Sequence, residues 1–416
     1  MSLEYFDRLE TRSPAEREEA LFCALRKSLP EAMRAPAIAR SLEGIDPQAI
    51  QDRNDLARLP LIRKSDLSEL QAKHPPFGGL APLSIGEYAS IFASPGPIFE
   101  PIDHRPDPFR TARALFAAGI RKGELVHNAF SYHFTPAGAM LESGAHALGC
   151  AVFPAGPGQS EIQVQTIARL RPSAWTGTPS FLLILLEKAA TMGEDASSLE
   201  HALVSGEALP ESLRAAIAEY RVETAQCYAT ADVGLIAYEA PIPGAGAPAG
   251  MILDEGIIAE IVRPGTGDPV PEGEVGEVVV TVLDSKWPLV RLATGDLSAV
   301  LPGVSPCGRT NTRIRGWMGR ADQTTKVKGM FVHPSQIAQV AARHREILKA
   351  RLVVTRDNHL DTMTLHYESE HRDQGVDEAI CASLRDICKL RGETLACEPG
   401  SLPNDGKVIE DARTDE

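Results

Sequence analysis

The sequence predicts an α/β fold, a large N-terminal α/β body with a helical start and a β subdomain, followed by a small α+β lid. Three observations carry this. From about residue 107 to residue 230, short apolar runs alternate with helical segments, the pattern of a largely parallel sheet. From about 250 to 300 the chain turns β-rich. Beyond Gly319-Arg320 it changes again, to a helix, two strands and a second helix. These changes set the expected domains at 1–320, with the helical start over 1–80, and 321–416.

The helical start opens at Ser13-Pro14-Ala15-Glu16, with a serine N-cap, proline at the first helical position and glutamate closing a capping box. Ala20, Leu21, Leu25 and Leu29 then share one face, and the helix is expected to end before Pro30. LARLPLIRKSDLSEL (56–70) reads as a loop leading into another short helix. In the body, Asp107 to Gly119 reads as a helix and LVHNAF (125–130) as a strand. MLESGAHALG (140–149) is helical, CAVFPAG (150–156) a strand, and EIQVQTIARLR (161–171) a helix. The alternation continues with SAWTGTPS (173–180), FLLILLEKAATM (181–192), HALVSGEAL (201–209), PESLRAAIAEYR (210–221) and TAQCYAT (224–230). Ligands of such folds sit beyond the C-terminal ends of the strands, so the loops there are the ones to inspect. GIIAEIV and EVGEVVVTVL, joined by a Pro/Gly-rich loop, predict the β subdomain. PSQIAQVAARH, ARLVVTR, TMTLHYE and VDEAICASLRDICKL make up the lid.

Composition narrows the function. The 416 residues are 43% hydrophobic and 24% charged, enough to bury a large core. A net charge of −14 disfavours nucleic acid as a partner, while a local basic site still admits a small anionic substrate. Seven cysteines with no CxxC suggest reduced thiols and a cytoplasmic protein. The charged N-terminus is unlike a signal peptide, and no apolar run reaches the ~20 residues a membrane span needs. GAGAPAG (244–250) has the wrong spacing for a dinucleotide loop. GSLPNDGK (400–407) is one residue too long for a Walker A and ends in Val408 where a Ser or Thr is required. Cys307 stands without a nearby partner, so no zinc is expected.

One ordered set of motifs remains. Tyr228-Ala229-Thr230-Ala231-Asp232 is followed by Arg291-Leu292-Ala293-Thr294-Gly295-Asp296, then CGRT (307–310) and Gly319-Arg320-Ala321-Asp322, then Lys328-Gly329 and Gly406-Lys407. Thr178-Pro179-Ser180 and Ser205-Gly206-Glu207 lie upstream. With IRKSDL (62–67), NAFSYHFTPAG (128–138), WTGTPSF (175–181) and GMFVHPSQI (329–337), this order resembles the phenylacetate–CoA ligase family of the adenylate-forming superfamily, from about Leu59 to Arg413. The resemblance implies an ATP-dependent aryl- or arylacetyl-CoA ligase that acts through an acyl-adenylate, with ATP/AMP, Mg2+ and coenzyme A as cofactors. A small carboxylic acid would be the substrate, and a homodimer is an open expectation.

The resemblance also assigns roles. Asp296 would accept from the ribose hydroxyls, and Arg320 would reach the ribose or phosphates. Ser205, Gly206 and Glu207 would flank the adenine, or form no more than a strand-to-helix turn, and Tyr228 with Ala229 would stack there. Asp232 would hold Mg2+, and Lys407 would bind the acyl carboxylate and α-phosphate during adenylation. Asp322 would be the hinge of a mobile lid, and Gly329 would line the CoA tunnel. Tyr132, His133 and Phe134 would surround the acyl group, although His133 reads equally well as a loop histidine.

The chain departs from the family most at its phosphate loop. Where the family runs Ser-Ser-Gly-Thr-Thr-Gly-x-Pro, this sequence has Ser94-Pro95-Gly96-Pro97-Ile98-Phe99-Glu100-Pro101. Ser94 and Gly96 remain as nucleotide contacts, but hydroxyl donors are lost, and Glu100 is expected to set a negative charge near the triphosphate. Asp232 is one methylene shorter than the usual glutamate. The alternative expectation is therefore a non-catalytic homologue that binds an adenylate or acyl-CoA.

Overall fold

A computed structural model of the protein describes residues 4–94, 98–242, 244, 246–321, 325–327, 330–357, 360–370, 374–403 and 407–413. The chain divides into two compact units. The first comprises Met1–Ala259, Val280–Leu292 and Leu301–Gly316; the second comprises Glu260–Val279, Ala293–Val300 and Trp317–Glu416.

The alternation of apolar runs and helices produces the expected parallel sheet. In the first unit the strands Ala151–Pro154, Leu125–Asn128, Ala174–Gly177, His201–Val204 and Glu223–Thr230 lie side by side and parallel. Gly234–Tyr238, Met251–Leu253 and Arg313–Ile314 continue the sheet antiparallel. Successive side chains of a strand point to opposite faces, and both faces here are covered. Ala174 and Leu203 pack with Leu115, Met140, Leu141 and Ala145 on one side. Trp175, Ala202 and Val204 pack with Ile167, Leu182, Leu186 and Ile217 on the other. This explains why these strands read as continuous apolar runs.

The first long helix is Pro14–Ala32, and its serine N-cap and Glu16 form the expected capping box. It does not stop before Pro30. That residue lies in the last turn, where a missing N–H costs one bond and the buried face of Leu21, Leu25 and Leu29 still holds the turn. A second feature was not expected: Ser90–Ser94 and Ile98–Ile102 form an antiparallel hairpin, in which Ser94 pairs with Ile98 and Phe92 with Glu100. Among the described residues, no helix is long and apolar enough to cross a membrane.

In the second unit, Glu393–Cys397, Leu360–Glu368, Lys349–Asp357 and Ile409–Asp411 form one sheet in that order. The helices Pro334–Arg343 and Gln374–Cys388 supply Ile337, Val340, Ile380 and Leu384 to its core, against Leu352, Val354, Met363 and Leu365. The same unit takes in the Gly295-Asp296 part of the strand Leu292–Ser298.

Candidate active site

The site residues of the first unit gather where the parallel strands end. Ser205 follows the strand His201–Val204; its hydroxyl donates to the Cys227 carbonyl at 2.8 Å, and its N–H donates to the Gly177 carbonyl. These bonds hold three neighbouring strand ends in register. Gly206 has φ +81°, a left-handed conformation that glycine adopts without strain, and it faces Thr178 and Phe130. Glu207 is exposed and accepts from the Ser180 hydroxyl at 2.6 Å. Tyr228 is buried in the strand Glu223–Thr230, and the register with Gly234–Tyr238 slips between Tyr228 and the half-buried Ala229. Asn128, fully buried, accepts from Thr176 Oγ1 and donates to the Tyr132 hydroxyl at 2.8 Å. Tyr132 is thus turned inward, and burial followed by the Glu142 carboxylate holds its phenol well above the usual range. His133 and Phe134 are exposed instead, Phe134 at 82%.

Beside these strand ends lies a cluster in which the sequence had singled out Ser94, Glu100 and Asp232 but neither Lys64 nor Gln71. Asp232 is buried, and Lys64 Nζ donates to its Oδ2 at 2.5 Å. Lys64 opens the helix Lys64–Lys73. The buried Gln71 of that helix clamps the hairpin, donating to the Phe99 carbonyl and accepting from the Phe99 N–H, both at 2.8 Å. The hairpin in turn carries Glu100, which is fully buried, and Ser94 Oγ donates to Glu100 Oε1 at 2.7 Å. Burial, and then the charge of Asp232, push the Glu100 carboxyl up to about 8. Glu100 is therefore mainly neutral near pH 7, contrary to the expected negative charge facing a triphosphate. Its raised value follows from removing a carboxylate from water beside another one. Ser94 is occupied within this cluster, and Gly96 lies outside the described residues.

Asp232 has the oxygen chemistry a Mg2+ ion requires. Its Oδ1 and Glu100 Oε2 are both buried, and with Glu100 mainly neutral its proton is shared with Asp232. The residues present fit the ion. Among the described residues, no group of three or more His, Cys, Asp or Glu side chains converges as a metal site.

In the second unit the structure brings Asp296 and Arg320 together. Asp296 is buried on the strand Leu292–Ser298 and forms a backbone bridge with Arg320. Arg320 Nη1 lies 2.8 Å from Asp296 Oδ1, and Trp317 Nε1 donates to the same oxygen at 3.1 Å. Arg320 is half exposed, so water screens the pair and it adds little to stability. Gly295 is required here: its φ is +76°, and a Cβ would stand 2.7 Å from Arg320 Nη2. Trp317 was not singled out from the sequence, because a lone aromatic three residues before an arginine carries no signal.

Lys407 is exposed and stands at the entry to the edge strand Ile409–Asp411. The buried Arg351 fixes this entry from both sides, donating to the Pro403 carbonyl at 3.0 Å and to Glu410 Oε2 at 2.9 Å. Asp322 and Gly329 lie outside the described residues.

The AMP-binding enzyme family profile matches residues 125–282, the parallel strands and the β subdomain. The phenylacetate-coenzyme A ligase of Thermus thermophilus is 30% identical over 406 residues, covering 89% of each chain. This chain belongs to the phenylacetate–CoA ligase family. The enzyme of that name from Escherichia coli is 28% identical, with 88% of this chain and 86% of that one covered. Among solved structures, 2-hydroxyisobutyryl-CoA ligase in an open conformation with 2-HIB-AMP and CoA matches with a TM-score of 0.72 and 26% identity, covering 97% of this chain and 92% of that one. Its thioesterification state matches with a TM-score of 0.70 and the same identity, covering 98% and 92%.

Proposed function

We propose that this chain is an ATP-dependent CoA ligase that activates an aryl or arylacetic acid as its adenylate and passes the acyl group to the CoA thiol. The observation that carries the reading is the 89% coverage by a phenylacetate–CoA ligase, more than residues 1–320 can supply. A carboxylate is a poor electrophile, and adenylation supplies a good leaving group. Asp296 binds the ribose diol, and Arg320 moves from Asp296 to the ribose or phosphates. Gly206, with Ser205 and Glu207, borders the adenine, and Tyr228 and Ala229 close its slot. Mg2+, when bound at Asp232, neutralises phosphate charge. Tyr132 lines the acyl pocket. Residues 321–416 act as a lid that turns about Asp322, bringing Lys407 to the carboxylate for adenylation and Gly329 to the thiol path afterwards. The enzyme is cytoplasmic, and a homodimer remains an open expectation.

The test is pyrophosphate exchange from ATP, followed by thioester formation, across a panel of aryl, arylacetic and short hydroxy acids. Exchange and thioester with an aromatic acid support the reading; thioester with a hydroxy acid alone overturns the substrate class. Asp296→Ala should weaken AMP binding about 30–150-fold, since a charged acceptor lost to a diol costs about 2–3 kcal/mol. Calorimetry showing unchanged affinity would refute the ribose assignment. One observation favours a second reading, a homologue that binds an adenylate or acyl-CoA without forming it: the Ser94 hydroxyl is spent on Glu100. Tight AMP binding with no exchange on any acid would favour that reading.

A further inference from the structure

The strand Leu125–Asn128 ends on a side chain whose hydrogen-bonding capacity is fully used. The fully buried Asn128 donates through Nδ2 to the Gly138 carbonyl and to the Tyr132 hydroxyl, both at 2.8 Å. Its Oδ1 accepts from Thr176 Oγ1 at 3.0 Å and from the Phe130 N–H at 3.2 Å. An amide has two donor hydrogens and one oxygen with two lone pairs, so nothing is left over. Its orientation is also fixed, because the Gly138 carbonyl only accepts and the Phe130 N–H only donates. The Tyr132 oxygen therefore accepts from Asn128, and its own proton goes to another partner. Glu142, one turn beyond Gly138 in the helix Ala137–Leu148, has its carboxylate at hydrogen-bonding range of that phenol. The ring is seated as well: a Cβ at Gly138 would stand 2.8 Å from Tyr132 Cγ, so the bare glycine leaves room for it.

We propose that Asn128 is a positioning residue for the acid: it holds the Tyr132 ring in place through the phenol oxygen, without touching the acid itself. The inference rests on the ligase reading only in taking Tyr132 as a wall of the acyl pocket. A phenol held by Asn128 and Glu142 has given its donor to the protein, so the acid meets a fixed aromatic face and not a hydrogen-bonding group. Fixing the ring has a use. Ordering a turning side chain during binding lowers affinity, and a ring held before the acid arrives avoids that loss. The anchor is itself rigid. Its amide reaches Thr176 in the neighbouring strand Ala174–Gly177, and the Asn128 carbonyl accepts from the Gly156 N–H at 3.1 Å, just past the strand Ala151–Pro154 on the other side.

The probes are phenylacetate and benzoate, titrated by calorimetry into the full chain with AMP present, beside the affinity for AMP alone and the melting temperature. Asn128→Asp keeps the shape of the side chain and removes the amide donors. It should weaken binding of the aromatic acid about 3–10-fold, the cost of ordering one side chain on binding. Its AMP affinity should stay within about twofold of wild type, since separate sites do not couple. Tyr132→Phe removes the oxygen that Asn128 holds and should weaken the acid by a similar factor. Adding Asn128→Asp to Tyr132→Phe should then weaken the acid no further, because the one residue acts through the other. Additive losses in the double variant, or acid and AMP affinity falling together, would show a merely structural role and overturn the proposal. Acid affinity unchanged in Asn128→Asp overturns it too. Should that variant not fold, Asn128→Ser, which leaves room for a water in place of the amide, carries the same comparisons. If wild type binds neither acid, Tyr132 is no acyl wall and the proposal falls, while turnover of another acid keeps the ligase reading alive. If an aromatic acid binds but yields no thioester, the ligase reading fails and the binding comparisons still decide the role of Asn128.

Discussion

Lys407→Ala is expected to slow acyl-adenylate formation by about 10²–10³, while thioester formation from a supplied acyl-adenylate survives. The difference follows from where charge develops. In adenylation the attacking carboxylate and the α-phosphate share negative charge in the transition state, and a cation touching both is worth about 3–4 kcal/mol there. In the second step the adenylate is already formed, and the thiol needs access rather than that cation. Arg351 makes a second, independent handle on the same step. It grips the chain before and after Lys407, at Pro403 and Glu410, without reaching the reacting groups itself. Arg351→Lys should therefore lower the adenylation rate less than Lys407→Ala does and leave the second step unchanged. Single-turnover measurement of each half-reaction checks both. If Lys407→Ala impairs the two steps equally, or neither, the proposed lid rotation fails.

Local patterning made the core of the fold readable. The strands Leu125–Asn128, Ala174–Gly177 and His201–Val204 are buried along almost their whole length because both faces of the sheet are covered, and each is followed by a helix. The strand Leu292–Ser298 stayed hidden because Thr294, Gly295 and Asp296 read as a motif and not as a β segment, although Thr294 and Asp296 are buried. The hairpin stayed hidden because prolines at residues 95, 97 and 101 argue against a strand interior; Pro101 sits on a two-stranded ribbon, where few ladder bonds are lost. The order of motifs singled out Gly206, Asp296 and Arg320, and the fold sets Asp296 beside Arg320. The Lys64–Asp232 pair was not, since 168 residues separate its members and nothing in IRKSDL marks a lysine that turns inward. Glu100 was noticed but placed wrongly: the sequence shows a carboxylate in a loop, and only the fold shows that it is buried on Ser94.

Glu10→Ala is expected to destabilise the protein by about 3–5 kcal/mol, the largest stability loss among the substitutions considered, although Glu10 lies in a short helical turn near the N-terminus. Its side chain is fully buried. Oε1 accepts from the Tyr238 hydroxyl at 2.7 Å and lies 3.1 Å from Arg309 and 3.4 Å from Arg113; Oε2 accepts from the Phe6 N–H at 2.8 Å. Burial, and then the Glu10 charge, hold the Tyr238 phenol well above its usual range, so it remains a donor. Around Glu10, Asp7 and Asp254 face Arg113, and Asp254 also pairs with Arg110 at 2.7 Å. Alanine at position 10 leaves Arg309 and the Tyr238 hydroxyl inside the protein without this acceptor, and an uncompensated buried charge is what makes such losses large. Glu31→Ala, which breaks solvent-exposed pairs with Arg34 and Lys286, should cost less than about 1 kcal/mol and serves as the control. The consequence reaches the site through the sheet. Tyr238 pairs with Cys227, and Ala237 with Tyr228, so a loosened Tyr238 frees the strand beside the proposed adenine slot. Denaturant midpoints of the two variants, with AMP affinity measured below the transition, test this. A midpoint for Glu10→Ala equal to that of Glu31→Ala would show that the network contributes nothing. A lowered midpoint with unchanged AMP affinity would confine its effect to stability.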